Sequence, residues 1–234
     1  MAVIDFHSHI LPATDHGCAD IQESILQLNL ISENKTNTVV ATPHFYPHMH
    51  RVESFIETVN NAVSEIHQAD IHFPLNLALG AEVFLCNGLD QMDGLDQLCI
   101  RGTKTMLLEL PMKPLKQSGY DTVENILSAG YTVVLAHIDR YMKVNPQGID
   151  ELISMGAYAQ INASSLASHG MRSKLYPYIK DGDTVCAIGS DLHGHDKKQY
   201  KPFCKAQKLL GEDFGEIMCR TEKLLFGAEI INLR

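Results

Sequence analysis

Seven short apolar, β-branched runs recur along the chain, at residues 2–6, 38–42, 77–81, 105–108, 132–136, 158–161 and 184–188. Runs this continuously apolar suit strands buried on both faces, as in a parallel sheet covered by helices. The segments between them carry helical period. Ile21, Ile25, Leu28 and Ile31 mark one apolar face, with Asp20 placed to cap it; Val52, Phe55, Ile56, Val59, Val63 and Ile66 mark a second. A third helix over 122–129 is stopped by Gly130. A chain of 234 residues reads as one domain of alternating strand and helix, which leaves an open doubly wound sheet or a closed barrel.

The polar residues choose between the two. The first run ends in His7 and His9, the second in His44, the third in Glu82 and the fourth in Glu109. The fifth ends in His137, and the seventh leads to Asp191 and His193. In a barrel all these carboxyl-terminal strand ends meet on one face, whereas an open sheet spreads them along a line. The convergence favours the barrel. One histidine or glutamate after an apolar run is most often a hydrogen-bonded strand end; six such ends in seven point to metal. His7 and His9 have the strand spacing of two that puts both imidazoles on one side. Mixed imidazole and carboxylate donors suit Mn, Fe or Zn, and their number exceeds what one ion uses. Two or three ions are expected, with Glu109 a bridge between them, clamping a phosphoryl group and activating water for in-line attack.

Charge and cysteine usage narrow the chemistry further. Nineteen basic against 28 acidic side chains give a net charge of −9, with no basic stripe of the kind that tracks nucleic acid. No apolar run approaches a membrane span, and the chain opens on a strand rather than a signal peptide, so a cytoplasmic location is expected. The six cysteines are scattered and read as reduced thiols. None has an arginine six places on, as a cysteine-based phosphatase requires; those positions hold Ser24, Met92, Thr105, Leu192, Leu210 and Leu225.

Asp5-Phe6-His7-Ser8-His9, Ala41-Thr42-Pro43-His44, Gly80-Ala81-Glu82, Leu108-Glu109-Leu110-Pro111, His137-Ile138-Asp139-Arg140-Tyr141, Gln160-Ile161-Asn162 and Gly189-Ser190-Asp191-Leu192-His193 follow one another in order. Together they resemble the PHP (polymerase and histidinol phosphatase) superfamily. More narrowly, they resemble the bacterial manganese-dependent protein-tyrosine phosphatases of capsule and exopolysaccharide loci. The resemblance implies a single distorted (β/α)7 barrel over 1–234 and a cluster of two or three Mn ions. It implies hydrolysis of phosphotyrosine on the tail of a bacterial tyrosine kinase; a small-metabolite phosphatase of the histidinol-phosphatase type is the alternative. The implied ligands are His7, His9, His16, His44, Glu82, Glu109, His137, Asp191 and His193. His16 stands where relatives of this type carry the second aspartate of Asp-Asp-Gly, and Asp15 is its reserve.

The resemblance makes Arg140 the phosphate-binding arginine and, with Glu109, a catalytic residue; the bidentate fork of a guanidinium suits phosphate oxygens. A second family arginine before a proline is replaced by Lys201-Pro202, so Lys201 and Lys198, with Lys197 nearby, are the expected phosphate contacts. Tyr46 and Phe45 are expected to stack on the substrate ring, and His195 is a candidate general acid. Asp5 is expected to support an imidazole or to make a hydrogen bond in the barrel floor, while His48, His50, His67, His72 and His169 read as ordinary surface histidines.

Overall fold

The computed structural model describes residues 2–194 and 200–233. His195, Lys197 and Lys198 lie outside the described residues. In chain order the elements are β1 (Ile4–His9), α1 (Ile21–Glu33), β2 (Thr38–Ala41), β3 (His44–Phe45), α2 (Val52–Gln68), β4 (Asn76–Leu79) and β5 (Glu82–Phe84). They continue with β6 (Thr105–Glu109), α3 (Gln117–Ser128), β7 (Thr132–Leu135), α4 (Ile138–Tyr141), α5 (Pro146–Ser154) and β8 (Tyr158–Asn162). The last are α6 (Ala163–Leu166), α7 (His169–Lys180), β9 (Val185–Gly189), β10 (Leu192–His193), α8 (Lys201–Leu210), α9 (Glu212–Leu224) and β11 (Ile230–Asn232). All seven apolar runs become strands, to within a few residues.

Local chemistry places the boundaries. Asp20 caps α1 by accepting the Glu23 N–H at 3.0 Å, while the Glu23 carboxylate reaches back to the Ala19 N–H at 2.9 Å. Gly130 has φ 85°, the left-handed turn that ends α3 and leads into β7.

The strands form an α/β arrangement of two sheets, ordered β10-β1-β2-β4-β11 and β3-β5-β6-β7-β8-β9. Every pairing is parallel except β11 with β4. The chain steps directly from the first sheet to the second at Thr42-Pro43 and, beside it, at Gly80-Ala81, and returns to the first through α2 and at Ser190-Asp191. Between the two adjacent steps Gly80 N–H donates to Ala41 O at 2.9 Å and Glu82 N–H to Pro43 O at 3.0 Å. Among the described residues the strands do not close into one ladder. Between β9 and β1 the link is made by single bonds: Asp191 N–H to His7 O at 2.9 Å and Ser190 N–H to Asp5 Oδ1 at 2.8 Å.

Each strand uses its two faces differently. Val39, Leu77, Met106, Val133 and Leu135 join the large core beneath the helices, whereas Val40, Ala78, Leu107, Val134 and Ala187 meet Leu224 in a second apolar cluster. That cluster draws on both sheets, so the sheets face a shared interior. Leu107 and Glu109 are two apart on β6 and therefore share a face, which puts the polar strand ends directly above this apolar floor.

Candidate metal centre

Glu82 begins β5, is fully buried, and sits among imidazoles. Its Oε2 lies 3.2 Å from His7 Nε2, 3.3 Å from His9 Nε2 and 3.0 Å from His44 Nδ1; its Oε1 lies 2.6 Å from His137 Nε2. Among the described residues, three groups have donor atoms close enough to share an ion: His9-His44-His193, His7-His9-Glu82 and His44-Glu82-Glu109. Spacings near 3 Å are those of neighbouring donors around an ion with bonds of about 2.1 Å. Glu82 Oε2, Glu109 Oε2, His44 Nδ1 and His137 Nδ1 are buried without a hydrogen-bond partner, an arrangement that proteins avoid unless something else satisfies the atoms. The donor set thus fits divalent ions with a taste for nitrogen and oxygen.

The far sides of the rings are held by neighbours. His9 Nδ1 is 2.6 Å from Asp15 Oδ2, which also accepts the His44 N–H at 2.9 Å, while Asp15 Oδ1 accepts the Gly17 N–H at 2.8 Å. Gly17 admits no side chain, since a Cβ there would lie 2.3 Å from His9 O and 2.6 Å from His9 Cβ. His7 Nδ1 is 3.1 Å from Gln160 Oε1, which also accepts the His137 N–H at 2.6 Å. Gln160 Nε2 donates to Asn162 Oδ1 at 3.0 Å, and Asn162 Nδ2 donates to Asp191 Oδ2 at 2.7 Å. A chain of side chains along β8 therefore connects His7 with Asp191. Two non-glycine residues here, His137 (φ 30°) and Asp191 (φ 53°), hold left-handed backbone, a strain found mostly where a site dictates it.

Electrostatics follow from this crowding. Burial would raise the Glu82 carboxyl, but the charge of His7, the hydrogen bond from His137 and the nearness of His44 hold it well below the usual range. Burial opposes protonation of His9, yet the bond to Asp15 and the proximity of Glu82 lift it to about 10. Burial and the charge of Glu82 push the Glu109 carboxyl up. Burial and His9 push His193 down to about 4. Asp191 lies at about 2, because His7 and Arg140 outweigh its burial.

The rim carries fewer donors. His16 is exposed, its ring centroid 4.7 Å from those of both His44 and His193, whereas Asp15 is occupied in holding His9. The one-turn α4 places Arg140 beside Asp191 Oδ2, with which it pairs; its side chain remains 41% exposed at an open cavity of about 490 Å³ that Asn162, Ser165 and Pro202 also line. Asp139 is not its partner. It accepts instead from Asn162 N–H at 2.9 Å and Ser165 Oγ at 2.6 Å.

The fold thus brings together His7, His9, His16, His44, Glu82, Glu109, His137, Asp191 and His193, with Arg140 at their edge. Tyr46 is half-buried and stacks on His44, centroids 5.2 Å apart. Phe45 is fully buried against Phe55, so it has no face for a substrate. Lys201 is exposed at the start of α8, and only its neighbour Pro202 reaches the cavity wall. Asp5 touches no imidazole: its Oδ1 accepts backbone N–H groups of Ser190 and His7 and so ties β1 to the turn after β9. His50 Nδ1 accepts the Tyr46 N–H at 3.1 Å, and His48, His67, His72 and His169 are exposed. Sequence reasoning missed the holding roles of Asp15, Gln160 and Asn162. The signal was present in Gln160 and Asn162, a polar pair at strand spacing in an otherwise apolar run.

A family model described as "Capsular polysaccharide synthesis, CpsB/CapC" matches residues 3–228. Tyrosine-protein phosphatase CpsB of Streptococcus agalactiae serotype III (strain NEM316) is 28% identical over 226 residues, covering 92% of each chain. Tyrosine-protein phosphatase YwqE of Bacillus subtilis (strain 168) is 27% identical over 220 residues, covering 91% of this chain and 85% of its own. A solved structure from a study of YwqE from Bacillus subtilis and CpsB from Streptococcus pneumoniae, described as unique metal-dependent tyrosine phosphatases, superposes with a TM-score of 0.78. It is 23% identical and covers 96% of this chain and 94% of that one.

Proposed function

The chain belongs to the CpsB/CapC family of capsular polysaccharide synthesis, and from that footing we propose that it is a metal-dependent protein-tyrosine phosphatase. The observation that carries this reading is Glu82 Oε2, buried without a hydrogen-bond partner and within 3.3 Å of three imidazole nitrogens. His7, His9, His16, His44, Glu82, Glu109, His137, Asp191 and His193 would hold two or three divalent ions, Mn by the family resemblance. Glu109 suits a bridge, since its Oε2 faces His44 Nδ1 at 3.7 Å and its Oε1 faces His137 Nε2 at 3.9 Å. We read the two sheets and their shared interior as one distorted (β/α)7 barrel, with a seam between β1 and β9; the second apolar cluster, drawn from both sheets, supports this reading.

Such ions, when bound, polarise the phosphoryl group and acidify water. The chain supplies the rest. Arg140, anchored on Asp191, presents its remaining N–H donors to phosphate oxygens and to the charge that grows on them in the transition state. Tyr46, braced on His44, offers an apolar wall to the phosphotyrosine ring. Burial raises the Cys18 and Cys99 thiols to about 12, which leaves neither a nucleophile.

The substrate in this reading is a phosphotyrosine segment of a bacterial tyrosine kinase, met in the cytoplasm, where the six free cysteines stay reduced. No described helix is long and apolar enough to cross a membrane. The relatives above are named tyrosine phosphatases, and nothing in the site favours histidinol phosphate over them. Turnover of a phosphotyrosine peptide, lost on chelation and restored by Mn, supports the proposal. Preference for histidinol phosphate under the same conditions overturns it.

A further inference from the structure

Beside His44, a path of rings leads outward from the centre. Tyr46, stacked on His44, lies 5.8 Å from Phe84, centroid to centroid. Phe84 is in register with Glu109, and the next residue donates its N–H to Glu109 O at 2.8 Å, so this wall is tied to the site. Phe84 then forms one side of a cavity of about 270 Å³, whose other walls are the loop after β6, with Pro111, Lys113, Pro114, Leu115 and Lys116. Two prolines stiffen that loop, which lowers the cost of ordering a ligand on it. No carboxylate lines the cavity. Lys113 and Lys116 are exposed and make no ion pair among the described residues. In a chain of net charge −9, an apolar cleft bearing two lysines beside a carboxylate-rich centre is a local reversal of sign.

We propose that this cleft is a specificity subsite for an acidic residue flanking the scissile phosphotyrosine. The inference rests on the phosphatase reading and names the peptide that it favours. A segment crossing the mouth places its phosphate over the ion cluster near Arg140 and lays the adjoining backbone across Tyr46 and Phe84. An Asp or Glu side chain then reaches Lys113 and Lys116. Exposed contacts of this kind are individually weak and screened by salt, so the pair should give about a five- to ten-fold preference at low ionic strength.

The test compares kcat/KM of the Mn-loaded protein for phosphotyrosine peptides flanked by Glu, Ala or Lys, with p-nitrophenyl phosphate as a substrate too small to reach the cleft. Expected is an order Glu, Ala, Lys that flattens at high salt and reverses in the double variant Lys113→Glu/Lys116→Glu. Turnover of p-nitrophenyl phosphate should be unchanged in that variant, which also shows that it is folded. Equal rates for the three peptides, or the same order in wild type and variant, sink the subsite while leaving the phosphatase standing. Failure to hydrolyse any of the esters, p-nitrophenyl phosphate included, sinks the phosphatase reading and the subsite with it.

Discussion

His9 Nδ1 lies 2.6 Å from Asp15 Oδ2, and this bond turns the other nitrogen of the ring toward Glu82 and Asp191. Asp15 therefore acts on the centre through His9 rather than by direct ligation. Removing it in Asp15→Ala frees the ring to rotate and leaves the His44 N–H without its acceptor. Metal affinity should fall by about 10- to 100-fold, the usual cost of losing a carboxylate behind a ligating histidine. Titration of the purified variant with Mn measures this directly; wild-type affinity would show that Asp15 holds nothing of consequence.

Gln160 serves two clients at once, accepting from the His137 N–H at 2.6 Å and facing His7 Nδ1 at 3.1 Å. Gln160→Leu fills similar volume but strands both groups in a fully buried position. Each orphaned donor costs about 1–3 kcal/mol, so a loss of roughly 3 kcal/mol is expected in urea denaturation of the metal-free protein. A loss near zero would mean that water replaces the amide.

The metal-free protein should lose stability as the solution becomes alkaline. Folding lifts His9 from its ordinary 6.5 to about 10, so the folded state keeps a proton that the unfolded chain has released. The stabilisation is fully present below 6.5 and is lost as pH rises through 10. Ions compete with that proton, so Mn affinity should rise with pH over the same window, and the loaded protein should show a flatter profile. Scanning calorimetry between pH 6 and 10, with chelator and with Mn, checks both statements; a His9→Gln variant should show a shallower slope, the remainder coming from His7, which Glu82 and Asp191 raise against its burial.

Arg140 differs from the ligands in having 41% of its side chain exposed while paired to a buried carboxylate. In Arg140→Ala the ions should still bind, because no donor is removed. The turnover number should nevertheless drop by about 100- to 1,000-fold, as when a donor to transition-state charge is deleted. Normal metal content with normal kcat would leave the guanidinium a purely structural role.

Gly17→Ala sets a methyl group 2.3 Å from His9 O, a backbone atom that has nowhere to go. The turn must shift and carry Asp15 with it. Mn affinity should weaken at least as much as in Asp15→Ala, with a lower melting temperature besides.

The seven strands and the strand-end donors were legible in the sequence because each rests on a local pattern. An apolar run is visible in one dimension, and a histidine that follows it is visible in the same window. Phe45 is no substrate contact, because exposure at a strand end is set by α2, whose Phe55 packs against it from ten residues on. Strand parity puts Asp5 on the side of His7 and His9, but of its two expected roles the structure shows the hydrogen bond: its Oδ1 accepts the backbone N–H of Ser190, from far along the chain, and that of His7. Asp15 and His16 are neighbours in the sequence, yet only the fold shows that Asp15 holds the His9 ring while His16 lies beside the rings of His44 and His193. Tertiary partners decide such cases, and no spacing along the chain encodes them.

The bonds from Ser190 and Asp191 to β1 join the earliest strand of the chain to the latest of its donor-bearing turns. A nascent chain emerging from the ribosome thus carries His7 and His9 long before Asp191 and His193 exist. Loading of the proposed centre would be deferred until the chain has been made as far as His193, and a product truncated before that turn would be left with imidazoles that have no clasp to close them.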